Sequence, residues 1–302
     1  MRVAFVTTID QDAIHDDVDL PLQVTAFADS GIDLVQAPWE DRTVDWDSFD
    51  LVVVRSPWNY VDRLDEFRHW LDARRHMRTI HNPVSLIEWN MDKRYLADLA
   101  ARGVPIVPTV FAESMEQFQV AAASAGSSEI VVKPSVSAGS RLTGRFVVED
   151  PAAEELASQI LAKGFAVMVQ PFASRIDDHG EIGTVLFDGM VSHSFRKAAL
   201  LAKGGALVGG EYREEITAIV VPDDVLAVVE VASMAVTAIA RERGWLAGNE
   251  ELLYGRYDVI RLDDGSPALL EAELFEPCFF LPTDSEAPRR FIDAVGRRMP
   301  NS

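Results

Sequence analysis

This chain has almost no cysteine. Cys278 is the only one among its 302 residues, which excludes an intrachain disulfide and a cysteine-built metal cluster. Its neighbours Phe279, Phe280 and Leu281 favour packing over reactivity. Histidine is sparse, and His15, His69, His76, His81, His179 and His193 show no metal-ligand spacing. Basic residues are outnumbered: 28 Lys and Arg stand against 48 Asp and Glu, a formal net charge of −20. Nucleic acid and anionic membranes need a basic surface, so neither is expected as a partner. A local basic cleft for a phosphate-bearing ligand stays compatible with that charge. No apolar run is long enough to span a bilayer. The start reads as a short strand followed by polar residues rather than a signal peptide, so the expected compartment is the cytoplasm. Walker A and GxGxxG spacings are missing, and so are triad spacing, internal repeats and low-complexity tracts.

What is present is a soluble globular composition, 48% hydrophobic and 25% charged. A chain of this length buries a large core in two or three lobes. Strands are expected over 2–7, 32–36 and 50–55, with a helix over 20–30 closed by Gly31. Strands alternating with helices indicate a parallel sheet covered on both faces. Two helices follow, one after Asn82-Pro83 and one over 91–102 before Gly103. From Pro105 the order becomes α+β. Strands fall at 106–110, 129–133, 145–148 and 166–170, with helices at 115–125 and 152–163. A hairpin turns at Asp188-Gly189, a Gly-rich segment covers 203–211, and a long apolar helix runs over 224–243. A helix over 288–297 closes the chain. The expected division is an α/β lobe over 1–88, a central lobe over 89–172 and a C-terminal lobe over 173–302.

The most telling stretch runs over 257–274. It reads as two strands turning at Asp264-Gly265, a residue pair favoured by tight hairpins. With a two-residue loop Asp258 sits opposite Glu271, and strand alternation gives Glu273 the same face. Val259, Leu270, Ala272 and Leu274 take the other, apolar face. Three carboxylates on one face repel unless a cation lies among them, and such oxygen ligands suit magnesium. A solvated acidic face is the plainer alternative, and Pro267 offers a way to lengthen the loop and shift the register.

Other residues suit a phosphate ligand. Lys133 ends an apolar strand, and Ser135, Val136, Ser137, Ala138, Gly139, Ser140 and Arg141 form a small, hydroxylated loop closed by a cation. Backbone N–H groups and hydroxyls in such a loop can wrap phosphate oxygens; an ordinary flexible loop has the same composition. Lys93 starts a helix. Gln170-Pro171-Phe172 forms a strand exit or a hinge able to read an adenine edge. Arg196 and Lys197 end a hairpin strand, either to hold a phosphate or as charges guarding an edge. Arg55, Trp58 and Tyr60 leave the C-terminal end of a parallel strand, where open α/β sheets bind ligands. Arg55 can pair with a carboxylate while the two aromatics wall a pocket, or the loop can pack on a neighbouring lobe.

The order of these features resembles the ATP-grasp superfamily, in its glutathione-synthetase-like branch. It runs from a lysine before a helix, through a strand lysine with a small-residue loop, a hinge and a basic strand, to Asp258 and Glu271-Ala272-Glu273. The resemblance spans essentially the whole chain. It implies a parallel α/β lobe followed by two α+β lobes that grip ATP. By that resemblance Lys93 and Lys133 contact the phosphates or the adenine end, and the loop from Ser135 to Arg141 covers the phosphates. Gln170 and Phe172 offer backbone groups to adenine, and Asp178 or Glu181 takes the ribose. Arg196 holds the γ-phosphate and the acyl-phosphate. Arg55, Trp58 and Tyr60 meet the substrate, and Asp258, Glu271 and Glu273 bind Mg2+. Many relatives carry Glu-x-Asn on the last strand; the second glutamate here adds negative charge at the metal. In size, and in the stretches 55–60 and 271–277, the chain looks most like cycloserine-forming cyclo-ligases.

The chemistry implied is attack of a carboxylate on the γ-phosphate of ATP, then capture of the acyl-phosphate by an amine or by a nucleophile within the same molecule. Positioning and charge do this work, so no cysteine or serine nucleophile is required. A small amino acid or derivative is the expected substrate. Two other readings stay open at this point: a small-molecule kinase and a non-catalytic ATP-binding protein.

Overall fold

Continuous apolar runs place the first sheet. The computed structural model describes residues 1–139, 141–199, 206–207 and 215–298, with the side chains of 206–207 left out. β1 (Arg2–Thr7), β2 (Asp33–Pro38), β3 (Leu51–Val54) and β4 (Ile80–His81) pair in parallel in the order β2-β1-β3-β4. Val3 to Val6 and Leu51 to Val54 are at most 1% exposed, as a sheet covered on both faces requires. Phe27 of the helix Leu20–Asp29 packs edge-on to Phe5 at 5.2 Å, fixing that helix on one face.

The second sheet is antiparallel. It contains β5 (Val110–Ala112), β6 (Glu129–Pro134), β7 (Thr143–Val147) and β8 (Val167–Pro171). The third contains β9 (Glu181–Phe187), β10 (Met190–Lys197), β12 (Ile216–Ile219), β13 (Tyr254–Arg261) and β14 (Pro267–Glu273). A short β11 (Ala206–Leu207) returns to the second sheet and pairs with β7. The orders are β11-β7-β6-β8-β5 and β12-β10-β9-β13-β14. The parallel α/β layer followed by two α+β layers is the architecture expected from the sequence. Ser140 and most of the Gly-rich segment 203–211 lie outside the described residues.

Two local expectations are corrected. The strand expected over 106–110 falls later, at β5. The preceding residues serve another sheet instead: the Val107 N–H donates to the Leu269 carbonyl, and the Leu269 N–H donates to the Pro105 carbonyl. The second correction concerns the β13–β14 turn. It is not a two-residue loop, because Arg261 pairs with Pro267 and the chain turns through 262–266. A bulge between Asp258 and Val259 then shifts the register and brings Asp258 back opposite Glu271. The bulge also changes which leucine faces the core. Leu269 is 0% exposed in the main cluster, whereas Leu270 turns to the side of Ile260 and Ala268.

The helix Asp223–Glu242 supplies the floor beneath this hairpin. Val225, Val228, Val229, Ala232, Val236 and Ile239 repeat at helical spacing and are buried. They meet Tyr257, Val259, Leu269, Ala272 and Leu274 from the back of the sheet. Alternation therefore forces Arg256, Asp258, Glu271 and Glu273 onto the opposite face. The free edge of β14 is closed by side chains. Asn90 donates to the Ala272 carbonyl at 2.8 Å and accepts from the Leu274 N–H at 2.9 Å. Tyr95 Oη accepts from the Ala272 N–H, and Asn82 donates to the Leu274 carbonyl. This satisfies an edge that would otherwise invite pairing and holds the carboxylate hairpin in place. Among the described residues no helix is long and apolar enough to cross a membrane.

Candidate active site

The face opposite that floor carries a dense array of buried charge. Arg256 Nε lies 2.9 Å from Asp258 Oδ1, and Arg256 Nη2 lies 2.8 Å from Oδ2. The same guanidinium also reaches Glu273. Lys197 lies 3.0 Å from Asp258 Oδ2 and also pairs with Glu181. Lys93 lies 2.9 Å from Glu271 Oε1. Lys133 is 7% exposed and has Glu271, Lys93, Glu181 and Lys197 as its charged neighbours. Gly183 gives Asp258 room, because a Cβ there would lie 2.5 Å from the Phe195 ring and 3.0 Å from Asp258 Oδ1.

The protonation pattern follows from burial and pairing. Burial alone would raise the Asp258 carboxyl, but Arg256 and Lys197 outweigh it and hold the group below the usual carboxylate range. Glu271 is also held low, since Lys93 and Lys133 overcome its burial. Burial wins at Glu273, pushed up to about 7, and at Glu181, pushed up to about 8. Burial also lowers the Lys133 ammonium, while Glu271 outweighs burial at Lys93 and keeps that ammonium high. Such opposed shifts in one cluster mark a candidate functional site.

The glycine- and serine-rich loop lies against this array. The Lys93 N–H donates to the Ser135 carbonyl, and the Ser135 N–H donates to the Ala166 carbonyl. Lys93 Nζ reaches the Ser137 carbonyl at 3.1 Å and its hydroxyl at 3.4 Å. Ala138 packs on the cluster under the first sheet, and Gly139 adopts a φ of +62°. Arg141 is exposed and meets Asp62 at 2.6 Å. Ala138 and Arg141 thus reach residues that pack on the first sheet.

Several expected residues stand elsewhere. Arg196 is exposed and points away from the carboxylates; Lys197, one residue on, takes the inward face by strand alternation. Asp178 is exposed, whereas Glu181 lies inside the array. The Phe172 N–H donates to the Glu129 carbonyl, so it is not free for a base edge. The Phe172 ring instead packs under Arg145, 3.4 Å from the guanidinium carbon. Gln170 is buried, with its amide on Thr109. Arg55 is 0% exposed, holds the Pro277 carbonyl at 2.9 Å, pairs with Asp19 at 3.4 Å and lies over the Phe279 ring at 3.6 Å. It clamps the segment after β14 and offers no guanidinium to the cleft. Trp58 and Tyr60 do border the carboxylate face, both bonded to Glu276. Burial pushes the Glu276 carboxyl well up. Burial and Asp19 raise the Cys278 thiol in the same way, which leaves it a poor nucleophile.

Sequence reasoning missed Arg256 and Glu276, and it gave Lys197 beside Arg196 without saying which of the two faces inward. Arg256 and that parity were within reach. Arg256 lies two residues before Asp258 and so shares its face; Lys197 differs from Arg196 only in parity. Glu276 follows the strand in irregular chain, where no periodicity assigns a face.

The three expected metal ligands do not form a ready cage. Among the described residues no three carboxylate, histidine or cysteine side chains converge at metal spacing. Arg256 bridges Asp258 and Glu273, while Lys93 occupies Glu271. The donors are all hard oxygens, and magnesium commonly takes only one or two carboxylates beside substrate phosphates. The donor set therefore fits that ion once nucleotide is present.

Comparison with known proteins gives a consistent picture. A family model described as the N-terminal domain of D-cycloserine synthetase DcsG matches residues 3–82. The cycloserine biosynthesis protein DcsG of Streptomyces lavendulae is 36% identical over 292 residues, 94% of this chain and 94% of the relative. The crystal structure of D-cycloserine synthetase DcsG matches with a TM-score of 0.90 at 33% identity, covering 99% of this chain and 100% of that one. A D-alanine–D-alanine ligase from Bacillus anthracis matches with a TM-score of 0.65 at 14% identity, covering 99% of this chain and 97% of that one, a likeness of fold.

Proposed function

The chain belongs to the D-cycloserine-synthetase family of ATP-grasp ligases, and from that premise we propose that it closes a cycloserine-type ring. The ring of cycloserine joins a serine carboxyl carbon to a nitrogen carried by the side-chain oxygen. The substrate is then an amino acid of the O-aminoserine type, free or substituted on that nitrogen. Its carboxylate oxygen attacks the γ-phosphorus of ATP, and ADP leaves. The side-chain nitrogen attacks the acyl carbon, phosphate leaves, and the nitrogen gives up a proton.

Four buried cations mixed with buried and partly buried carboxylates in one cluster carry this reading. Lys133 and Lys93 hold phosphate oxygens, with the loop from Ser135 to Arg141 over them. Glu181 takes the ribose. Arg256 and Lys197 lie where charge develops on the transferred phosphoryl group and the acyl oxygen, and preorganised cations there lower the barrier. Asp258, Glu271 and Glu273 hold Mg2+ together with phosphate oxygens; the ion supplies neutralisation of phosphate charge. The amino acid lies on the side of Trp58 and Tyr60.

A coupled assay for ADP with O-amino-D-serine tests the proposal, run with and without hydroxylamine. The expected outcome is substrate-dependent ADP and phosphate release in equal amounts with ring product, partly diverted to a hydroxamate by hydroxylamine. A phosphorylated amino acid without hydroxamate would instead identify a kinase, and absence of ADP release would reject turnover of this substrate class.

A further inference from the structure

Glu276 has no part in the steps above, yet its carboxyl is a titratable group in a costly buried position. It is 9% exposed, on the chain leaving β14 three residues beyond Glu273. One carboxyl oxygen, Oε1, accepts from Tyr60 Oη at 2.6 Å. Its backbone carbonyl accepts from Trp58 Nε1 at 3.0 Å. Among the described residues Oε2 is buried and has no partner. Tyr60 is itself fixed, with Phe275 at 5.5 Å and Phe67 at 5.1 Å between ring centroids. The carboxyl group is thereby held in one orientation, with Oε2 unpartnered among the described residues.

A buried polar oxygen without a partner is destabilising, and more so when charged. Such a group points to a donor that comes from outside the protein. The nearest charges on this side are Glu273, Lys93 and Glu271. Lys93 is already held by Glu271 and Ser137. The surroundings are therefore negative, which favours a cationic donor and disfavours an anion. On the reading of the substrate as an amino acid, on which this step rests, only its α-ammonium meets that description. We infer that Glu276 Oε2, set by Tyr60, receives the α-ammonium of the amino-acid substrate and so selects amino acids over simple carboxylic acids. Holding the ammonium there leaves the carboxylate free to face the cations across the cleft, an orientation effect rather than a chemical step.

Calorimetric binding in the presence of a non-hydrolysable ATP analogue and magnesium tests this. The two probes are O-amino-D-serine and 3-(aminooxy)propionate, which lacks the α-amino group. The native protein is expected to prefer the amino acid by at least about 30-fold, the range of a charge-assisted contact. Glu276→Gln should reduce that preference to within about threefold while leaving nucleotide affinity unchanged, which also reports an intact fold. Tyr60→Phe, which frees the carboxylate to rotate, should give an intermediate preference. In turnover Glu276→Gln should raise KM for the amino acid by at least about tenfold with kcat within about threefold. A preference retained in Glu276→Gln would overturn the assignment and leave the proposed function standing. Failure of the native protein to bind either probe would overturn both.

Discussion

Arg256 and Asp258 stand two residues apart on one strand and grip each other, with Nε 2.9 Å from Oδ1 and Nη2 2.8 Å from Oδ2. Both are nearly fully buried. A lone carboxylate there would neutralise itself; the arginine keeps it charged. The same cation also binds Glu273, so on the proposed reading nucleotide and metal would enter by redistributing existing ion pairs.

That arrangement decides what carboxylate mutants do. Repulsion among bare carboxylates would make their removal neutral or stabilising without nucleotide. With Arg256 and Lys197 between them, the sign reverses for Asp258. Asp258→Asn should destabilise the nucleotide-free protein by about 2 kcal/mol, because it takes one carboxylate partner from each of two buried cations, leaving Arg256 to Glu273 and Lys197 to Glu181. Glu271→Gln, at a more open position, should have a smaller effect. Both, and Glu273→Gln, should reduce kcat by at least about a hundredfold. Thermal unfolding and ADP release across a magnesium titration check this; an Asp258→Asn protein as stable as the native one would contradict it.

Strand parity separates two adjacent cations. Lys197→Ala should abolish measurable turnover, since it leaves Glu181 and Asp258 without their shared ammonium. Arg196→Ala should keep kcat within about twofold of native, as expected for an exposed side chain. Steady-state kinetics on the two variants decide it, and a comparable loss in Arg196→Ala would place that side chain in the site.

The contrast between these neighbours shows what the sequence could and could not say. The layers were legible, because the buried strands are continuous apolar runs and the long helix repeats Val and Ala at helical spacing. Asp258 opposite Glu271 was reached from a two-residue turn, yet the pairing arises from a longer turn offset by a bulge. Single-residue register is what local sequence constrains least, because an inserted residue reverses every face beyond it. Arg55 and Glu276 were beyond reach for another reason. Their partners, Asp19, Pro277 and Tyr60, are distant in sequence, and only the packed chain brings them together.

Stability should fall as pH rises through neutrality. Burial raises the folded values of Glu273 to about 7 and of Glu181 to about 8, against an ordinary value of 4.5. A carboxyl whose folded pKa is raised binds more protons folded than unfolded, so its ionisation opposes folding. Burial lowers His81 to about 4 and also lowers His193, which acts in the opposite sense, but only below the ordinary histidine value of 6.5. Between about pH 6.5 and 8 the glutamates therefore dominate, and the Tm without nucleotide should drop as pH rises. Mg-nucleotide supplies cation to the ionised carboxylates and should raise the Tm more at about pH 8 than at about pH 6.5. Differential scanning fluorimetry across that window measures both, and a Tm that rises with pH would refute the assignment.

Arg55 provides the sharpest separation of structural from ligand-binding roles. If it held substrate, Arg55→Ala would raise KM for the amino acid and leave stability alone. Its guanidinium is instead 0% exposed, on the Pro277 carbonyl and Asp19, and Asp19 in turn accepts from the Phe279 and Leu281 N–H groups. Removing the arginine leaves the Asp19 carboxylate buried without its counter-charge and frees the segment that carries Glu276. Breaking a buried pair from one side typically destabilises by about 3–5 kcal/mol. Arg55→Ala should therefore lower the Tm by at least about 5 °C. The double variant Asp19→Asn with Arg55→Ala should recover part of that loss, since the stranded charge is gone. Any change in substrate KM should accompany the stability loss and scale with it. A Tm within about 2 °C of native, with a selective rise in KM for the amino acid, would return Arg55 to the substrate site.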